Sequence, residues 1–525
     1  MKLVIVGGGG FRVPQILDVL AQARAGTGPH AGLVVDEVCL YDIAPDRLRT
    51  MRSVLSDLAF AQAPRVTATT SMEDALRGAD FVFSAFRVGG TCGRILDERV
   101  ALREGVLGQE TVGAGGYAFA FRTIPEAMRL ARAVRDVAPQ AWVINFTNPA
   151  GIITQAMRTV LGPRVVGICD TPIGLIRRSA AALGLDPARV NEVGASPAAR
   201  PAGPGKATTG SPSSIGTGGT HAHEGDHPLA LDFDYVGLNH LGWLRSLSVE
   251  GVDRLPDLIG DDALLDHLEE SRAIGAEWIR TLGMLPNEYL FYYYLNRESV
   301  ARIRAEEQTR GEFLHAQQGA FYRAAAADPQ EAGRLWTQAH DEREATYMAE
   351  SRSEEERGSR REEDIEGGGY QQVALDLMTA ISTGTPARMI LDVGNADAAL
   401  SARTAGAGAG AWAESDAGAG AAAAGAGELL VPQLREDAVV EVPCLVDGSG
   451  VHPQRVAGLS GPELGLVTSV KACEELVIEA AFTGRRELAW RALAAHPLVD
   501  SVNVARRVLD GYIQQNPDVA AVLTR

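Results

Sequence analysis

The stretch "KLVIVGGGGFRVPQIL", residues 2–17, passes from an apolar run into four glycines and then into a helical pattern that Pro14 opens. The run "KLVIV" reads as a buried strand. Glycines between a strand and a helix let the backbone approach a pyrophosphate, which the helix N-terminus then favours. The match to a dinucleotide fingerprint is partial: Gly7-x-Gly9 is in place, but the third glycine position falls on Arg12. A second apolar run, "EVCLYD" at 37–42, ends in Asp42, where a carboxylate can accept ribose hydroxyls. An acid there favours NAD over NADP, because it would repel a 2′-phosphate. Gly7, Gly8, Gly9, Phe11, Arg12 and Asp42 are therefore the candidate cofactor-binding residues.

Outward from this unit, "FVFSAF" (81–86), "AWVINF" (141–146) and "RVVGIC" (164–169) read as further strands. Helical patterns at 124–137 and 152–161 fall between them. Such alternation predicts an α/β fold with a Rossmann-like doubly wound parallel sheet, its ligands at the carboxyl ends of the strands. The second half reads differently. A strand near Tyr235 leads into "GLNHLGWL", helical patterns cover 261–282, 311–326, 370–382 and 464–482, and "AVVEVPCLV" at 438–446 is a strand. The expected layout is a nucleotide-binding domain over 1–195 and a mostly helical α+β catalytic domain over 231–525. A Gly/Pro/Ser/Thr-rich insertion at 196–230 separates them, and two further insertions fall near 351–369 and 404–427. The first insertion carries "HAHEGDH", which reads as a solvated loop rather than a metal site, because low-complexity backbone seldom fixes ligand geometry.

Composition narrows the class. The chain has 525 residues, 46% of them hydrophobic, and a formal net charge of −18. A general nucleic-acid binder is usually basic, so that class is disfavoured. No apolar run reaches the length of about 18 residues that a membrane span needs, and the N-terminus lacks a leader pattern, so a cytoplasmic protein is expected. The five cysteines are scattered, without a CxxC pair, which argues against disulfide scaffolds and structural zinc. Cys169 is the unusual one, since it ends a strand beside Asp170 in "GICDTP". Alone it reads as a buried thiol, and His240 alone as a core histidine.

Seven polar strings occur in order where a core does not need them: "FRVGGTCGRILDER", "GVLGQETVGAGGYA", "INFTNPAG", "GICDTP", "GLNHLGW", "PNEYLFYYY" and "TRGEF". Together they resemble glycoside hydrolase family 4, the NAD- and divalent-metal-dependent glycosidases, and most nearly its 6-phospho-β-glucosidases. The resemblance implies oxidation of the sugar at C3, removal of the C2 proton, elimination of the C1 group, addition of water and re-reduction, a route outside the two-carboxylate scheme. It implies Cys169 and His240 as metal ligands, with Mn²⁺ the expected ion, and Tyr289 as the base for the C2 proton. An ordinary tyrosine has a pKa near ~10, so a nearby cation must favour the phenolate. The resemblance places Arg94 and Arg310 at the sugar and its 6-phosphate, where guanidinium forks suit phosphate oxygens. It places Asn148 beside the sugar hydroxyls and the nicotinamide, and implies a homodimer or homotetramer acting on a phosphorylated disaccharide or glucoside.

Asp170 divides the reading. The α-specific members carry Asp after the ligand cysteine, as the acid for the leaving oxygen, whereas β-specific members commonly carry Asn. The longer strings look β-like, so β-linked substrates are expected. The alternatives are a 6-phospho-α-glucosidase or another family-4 specificity, a simple NAD-dependent 2-hydroxy-acid dehydrogenase, which would lack the Cys–His pair, and a non-enzymatic sugar sensor.

Overall fold

The computed structural model describes residues 1–193, 231–352, 360–361, 364, 369–398 and 429–524. The insertions expected at 196–230 and 404–427, with the "HAHEGDH" string, lie outside these residues, as does most of 351–369. Two described residues of that last segment are packed: Arg360 reaches Glu269 at 2.7 Å, and Asp364 pairs with Arg272 at 2.5 Å.

The first half alternates as its sequence predicts. Strand β1 (Lys2–Val6) feeds helix α1 (Val13–Arg24), and β2 (Glu37–Tyr41) feeds α2 (Pro45–Leu58). Next come β3 (Arg65–Thr69), α3 (Met72–Leu76), β4 (Phe81–Ser84), α4 (Gly90–Arg103) and α5 (Gly113–Val137). Strand β5 (Trp142–Asn145), α6 (Ala150–Leu161), β6 (Val165–Gly167) and α7 (Thr171–Ala182) complete this half. Its strands are parallel in the order β3-β2-β1-β4-β5-β6, the doubly wound arrangement. Both faces are covered, so β1 is apolar from Leu3 onward: Leu3 and Ile5 join one core, Val4 and Val6 the other.

The second half continues the same sheet. Strands β7 (Leu231–Leu238), β8 (Leu241–Val249), β9 (Val252–Asp253), β10 (Leu285–Pro286), β11 (Ala387–Gly394), β12 (Val439–Asp447) and β13 (Gly450–Pro453) are antiparallel. They extend the parallel strands in the order β6-β11-β12-β7-β8-β10. The expected single helical run at 261–282 is three short helices, Asp262–Asp266, Glu269–Ile274 and Ala276–Leu282. It breaks at Leu268, whose backbone is extended, and at Gly275, with φ of 102°. Among the described residues, no helix is long and apolar enough to cross a membrane.

A buried ion pair locks α4 against α5. Arg122 donates from Nη1 and Nη2 to the two Asp97 oxygens at 2.7 and 2.6 Å, and both side chains are fully buried. Its Nε donates to the Val88 carbonyl at 2.9 Å. Removing one partner strands a buried charge, so Arg122→Met is expected to cost about 3–5 kcal/mol in urea unfolding, most of it recovered in Asp97→Leu/Arg122→Met. An Arg122→Met protein of wild-type stability would contradict this role.

Candidate active site

The strand order reverses between β1 and β4, and a cavity of about 810 Å³ opens at their carboxyl ends. Gly7, Phe11, Arg12, Asp42, Arg94 and Asn148 all line it. Gly7 adopts φ of 89°, and a Cβ there would sit 2.5 Å from the Ala85 carbonyl oxygen, so the turn requires glycine. Gly8 donates to the Tyr41 carbonyl at 2.8 Å, and Gly9 donates to Asp42 Oδ2 at 3.1 Å. These two glycines thus shape the turn from behind and do not line the cavity. Asp42 Oδ1 accepts from the Ala44 amide at 2.9 Å, which fixes the carboxylate facing the cavity. The Arg12 guanidinium lies over Tyr370 and Phe146, 4.3 and 4.7 Å from the ring centres.

A second group of side chains is assembled beyond this cavity by a short relay of contacts. Cys169 Sγ lies 3.3 Å from Thr171 Oγ1, which accepts from Asn287 Nδ2 at 2.7 Å. Asn287 Oδ1 in turn caps the Tyr289 amide at 3.0 Å, which explains the "PNEY" string. The Tyr289 ring stacks on His240 with centroids 3.9 Å apart. His240 occupies the second position of the two-residue turn between β7 and β8, with φ of 65°. Burial pushes its pKa down to about 4, so the imidazole is neutral and its lone pair is available. Burial, with Asp170 and Glu441 adding to it, raises the Cys169 thiol well above its ordinary value. Burial, reinforced by Glu288, does the same for Tyr289. A thiol and a neutral imidazole facing one phenol make a donor set that fits a divalent cation, whose charge would favour the anionic forms of both sulfur and phenol. Asp170 stands just before α7, half-buried. Burial raises its carboxyl, while Arg12 pulls it back.

Arginines converge on the junction of the two groups. Arg94 on α4 donates from Nε to Glu98 at 2.7 Å and pairs with Glu110 at 2.8 Å. Glu98 also accepts from the Gly311 amide at 2.8 Å, which ties α4 to the start of the helix Arg310–Ala327. The "TRGEF" string is a capping box there: Thr309 Oγ1 accepts from the Glu312 amide at 3.3 Å, and Glu312 accepts from the Thr309 amide at 2.8 Å. Arg310 is thereby set beside Thr346 and the Arg343 carbonyl. Burial and then Arg94 push Arg310 down to about 10; burial, Arg12 and Arg310 push Arg343 down to about 9. Mutual repulsion in a dry setting of this kind is relieved by a bound anion.

Sequence reasoning assigned no role to Glu110, yet Arg87, Arg94 and Arg343 outweigh its burial and keep it ionised at the cavity wall. It also missed Arg343 and Tyr347, both on the "DEREATYM" segment, which reads as ordinary charged helix. Tyr347 shares a hydrogen bond of 2.9 Å with the Tyr289 hydroxyl and donates to Glu288 Oε1 at 2.9 Å. Glu288 is pushed up to about 8 by burial and by Glu269.

Two family models match: "Family 4 glycosyl hydrolase" over 2–185, and its C-terminal domain over 235–401 and 425–499. A protein of Bacillus subtilis named "Probable 6-phospho-beta-glucosidase" is 25% identical, over 98% of this chain and 96% of its own. The "6-phospho-alpha-glucosidase 1" of Lacticaseibacillus paracasei is 26% identical, over 91% of this chain and 90% of its own. In structure, the 6-phospho-beta glucosidase of Thermotoga maritima, solved with manganese, NAD⁺ and glucose-6-phosphate, superposes with a TM-score of 0.69 at 22% identity, over 98% of each chain.

The arginine junction generates a direct test. Arg310→Ala and Arg343→Ala are each expected to weaken calorimetric binding of a sugar phosphate by about tenfold or more, the worth of a charge-assisted hydrogen bond. Unchanged affinity in both would contradict an anion site here.

Proposed function

The chain belongs to family 4 of the glycosyl hydrolases, and on that premise we propose that it cleaves 6-phosphoglucosides with NAD and a divalent cation, manganese first, as cofactors. The observation that carries this reading is the stacking of Tyr289 on His240 beside Cys169, next to a cavity that runs from the glycine turn to Arg94. Bound NAD would supply an oxidant for the sugar C3 hydroxyl, and a bound cation would supply positive charge against the negative charge that develops on the sugar oxygens.

The protein's own groups then divide the work. Asp42 and the turn at Gly7 would hold the dinucleotide, and Cys169 and His240 would hold the cation. Arg94, Arg310 and Arg343 grip the 6-phosphate and so fix the ring, which converts binding energy into orientation. Asn148, at the cavity wall after β5, meets the sugar hydroxyls. Tyr289, as the phenolate that a bound cation would favour, takes the C2 proton at its phenolic oxygen, and Tyr347, 2.9 Å away, orients that oxygen. Self-association as a dimer or tetramer belongs to the same proposal.

For the anomer, the β-like strings "PNEYLFYYY" and "TRGEF" support β-linked substrates as the first reading. A specific observation favours the α reading as the second. Burial raises the Asp170 carboxyl toward its protonated form, which suits donation to a leaving oxygen. One assay addresses all of this. Gel-filtered, chelator-treated protein should regain turnover of p-nitrophenyl 6-phosphoglucosides only when NAD⁺ and Mn²⁺ are both returned, with no net NADH and with the β anomer faster. Full activity without either addition would overturn the proposal. A faster α anomer would replace the first reading with the second.

A further inference from the structure

Two acids lie side by side in the sheet beneath the candidate cation ligands. Gly167 on β6 pairs with Asp392 on β11, Asp392 with Glu441 on β12, and Glu441 with Gly237 on β7. This row crosses four strands. Cys169 follows two residues after one end of it, and the turn Asn239–His240 follows the other. Both carboxyls are only 1% exposed, and opposed residues of an antiparallel pair project from the same face. A buried acid pair is an expensive feature for a sheet interior, so its hydrogen bonds are informative.

Asp392 accepts no hydrogen bond among the described residues. Glu441 accepts two, one at each oxygen. Tyr235 on β7 donates its hydroxyl to Oε2 at 2.9 Å, and Asn239 donates Nδ2 to Oε1 at 3.3 Å. Asn239 is the first residue of the two-residue turn, and His240 is the second. His240 sits in the left-handed region at φ of 65°, which a residue with a Cβ adopts only when its surroundings hold it there. The first neighbour that can do so is Asn239, and what anchors its side chain is Glu441. The strand leading into the turn is anchored to the same carboxyl through Tyr235.

We infer that Glu441 is a positioning residue for the cation site: by binding Asn239 and Tyr235 it holds the left-handed turn that presents His240 toward Cys169. The inference rests on the reading that Cys169 and His240 take the cation. It assigns to Glu441 and Asn239 no contact with substrate or cofactor.

The test uses the full chain with Mn²⁺ as the probe, followed by electron paramagnetic resonance of the free ion, and Co²⁺ for its thiolate charge-transfer band. Glu441→Leu and Asn239→Ala should each weaken Mn²⁺ binding by about 10- to 100-fold, the usual effect of losing an outer-shell partner. The double variant should be little worse than Glu441→Leu alone, because Asn239 acts through its bond to Glu441. Glu441→Gln keeps an acceptor for Asn239 and a partner for Tyr235, so it should bind within about threefold of wild type. NAD⁺ affinity should be unchanged in all of them. If Glu441→Leu does not fold, Asn239→Ala and Glu441→Gln carry the test. Wild-type Mn²⁺ affinity in Asn239→Ala would overturn the inference alone. A wild-type protein whose Mn²⁺ binding is indifferent to Cys169→Ser and His240→Ala would overturn the cation reading, and this inference with it.

Discussion

The pairing of Gly167 with Asp392 joins a parallel sheet to an antiparallel one. The site depends on that junction. A Cβ at residue 167 would lie 2.6 Å from an Asp392 carboxylate oxygen and from Thr154 Oγ1, so glycine there leaves room for the Asp392 side chain across the pairing. Once they meet, β11 and β12 carry β7 to a fixed distance from β6. Cys169 follows β6 by two residues, and the turn after β7 holds His240. Two residues far apart in the chain are thereby tied to the two ends of one cross-strand row, and the segment carrying Tyr289 joins the same sheet through β10 and β8.

Much of this was legible in the sequence, for physical reasons. Strands β1, β2, β4, β5 and β6 are buried on both faces, so each is a short apolar run that stands out from the amphipathic helices between them. The glycine turn and Asp42 are local features, and the structure brings both to the cavity. The less legible elements are those with weak local signals. Strand β3, "RVTAT", is half-exposed and nearly polar. Strand β11, "ARMILDVG", follows a helix so closely that its apolar residues merge with the helical pattern. The run at 261–282 has helical periodicity throughout, but Gly275 at φ of 102° divides it.

The site residues divide along the same line. Cys169, His240 and Tyr289 were found through ordered strings rather than through any spacing between them. Only the sheet shows why they meet. Arg343 and Tyr347 were missed because a charged helix end followed by a turn has no distinguishing pattern, and their significance lies in what faces them across the cleft. Glu110 sits within a string that was noticed, but its role lies in its arginine partners. Electrostatics links all of these. A cluster of arginines whose mutual repulsion is only partly offset by Glu110 sits next to a neutral imidazole, a neutral thiol and a neutral phenol. The first group suits an anion and the second a cation, which fits the proposal of a phosphorylated sugar with a metal ion at its ring hydroxyls.

In the proposed reaction Tyr289 removes a carbon-bound proton from the sugar. Turnover of a 6-phosphoglucoside in D₂O, with the product read by NMR, tests it most directly. Deuterium is expected at C2 of the released sugar phosphate, and its loss together with turnover in Tyr289→Phe. Product released at an undiminished rate with hydrogen retained at C2 would contradict it.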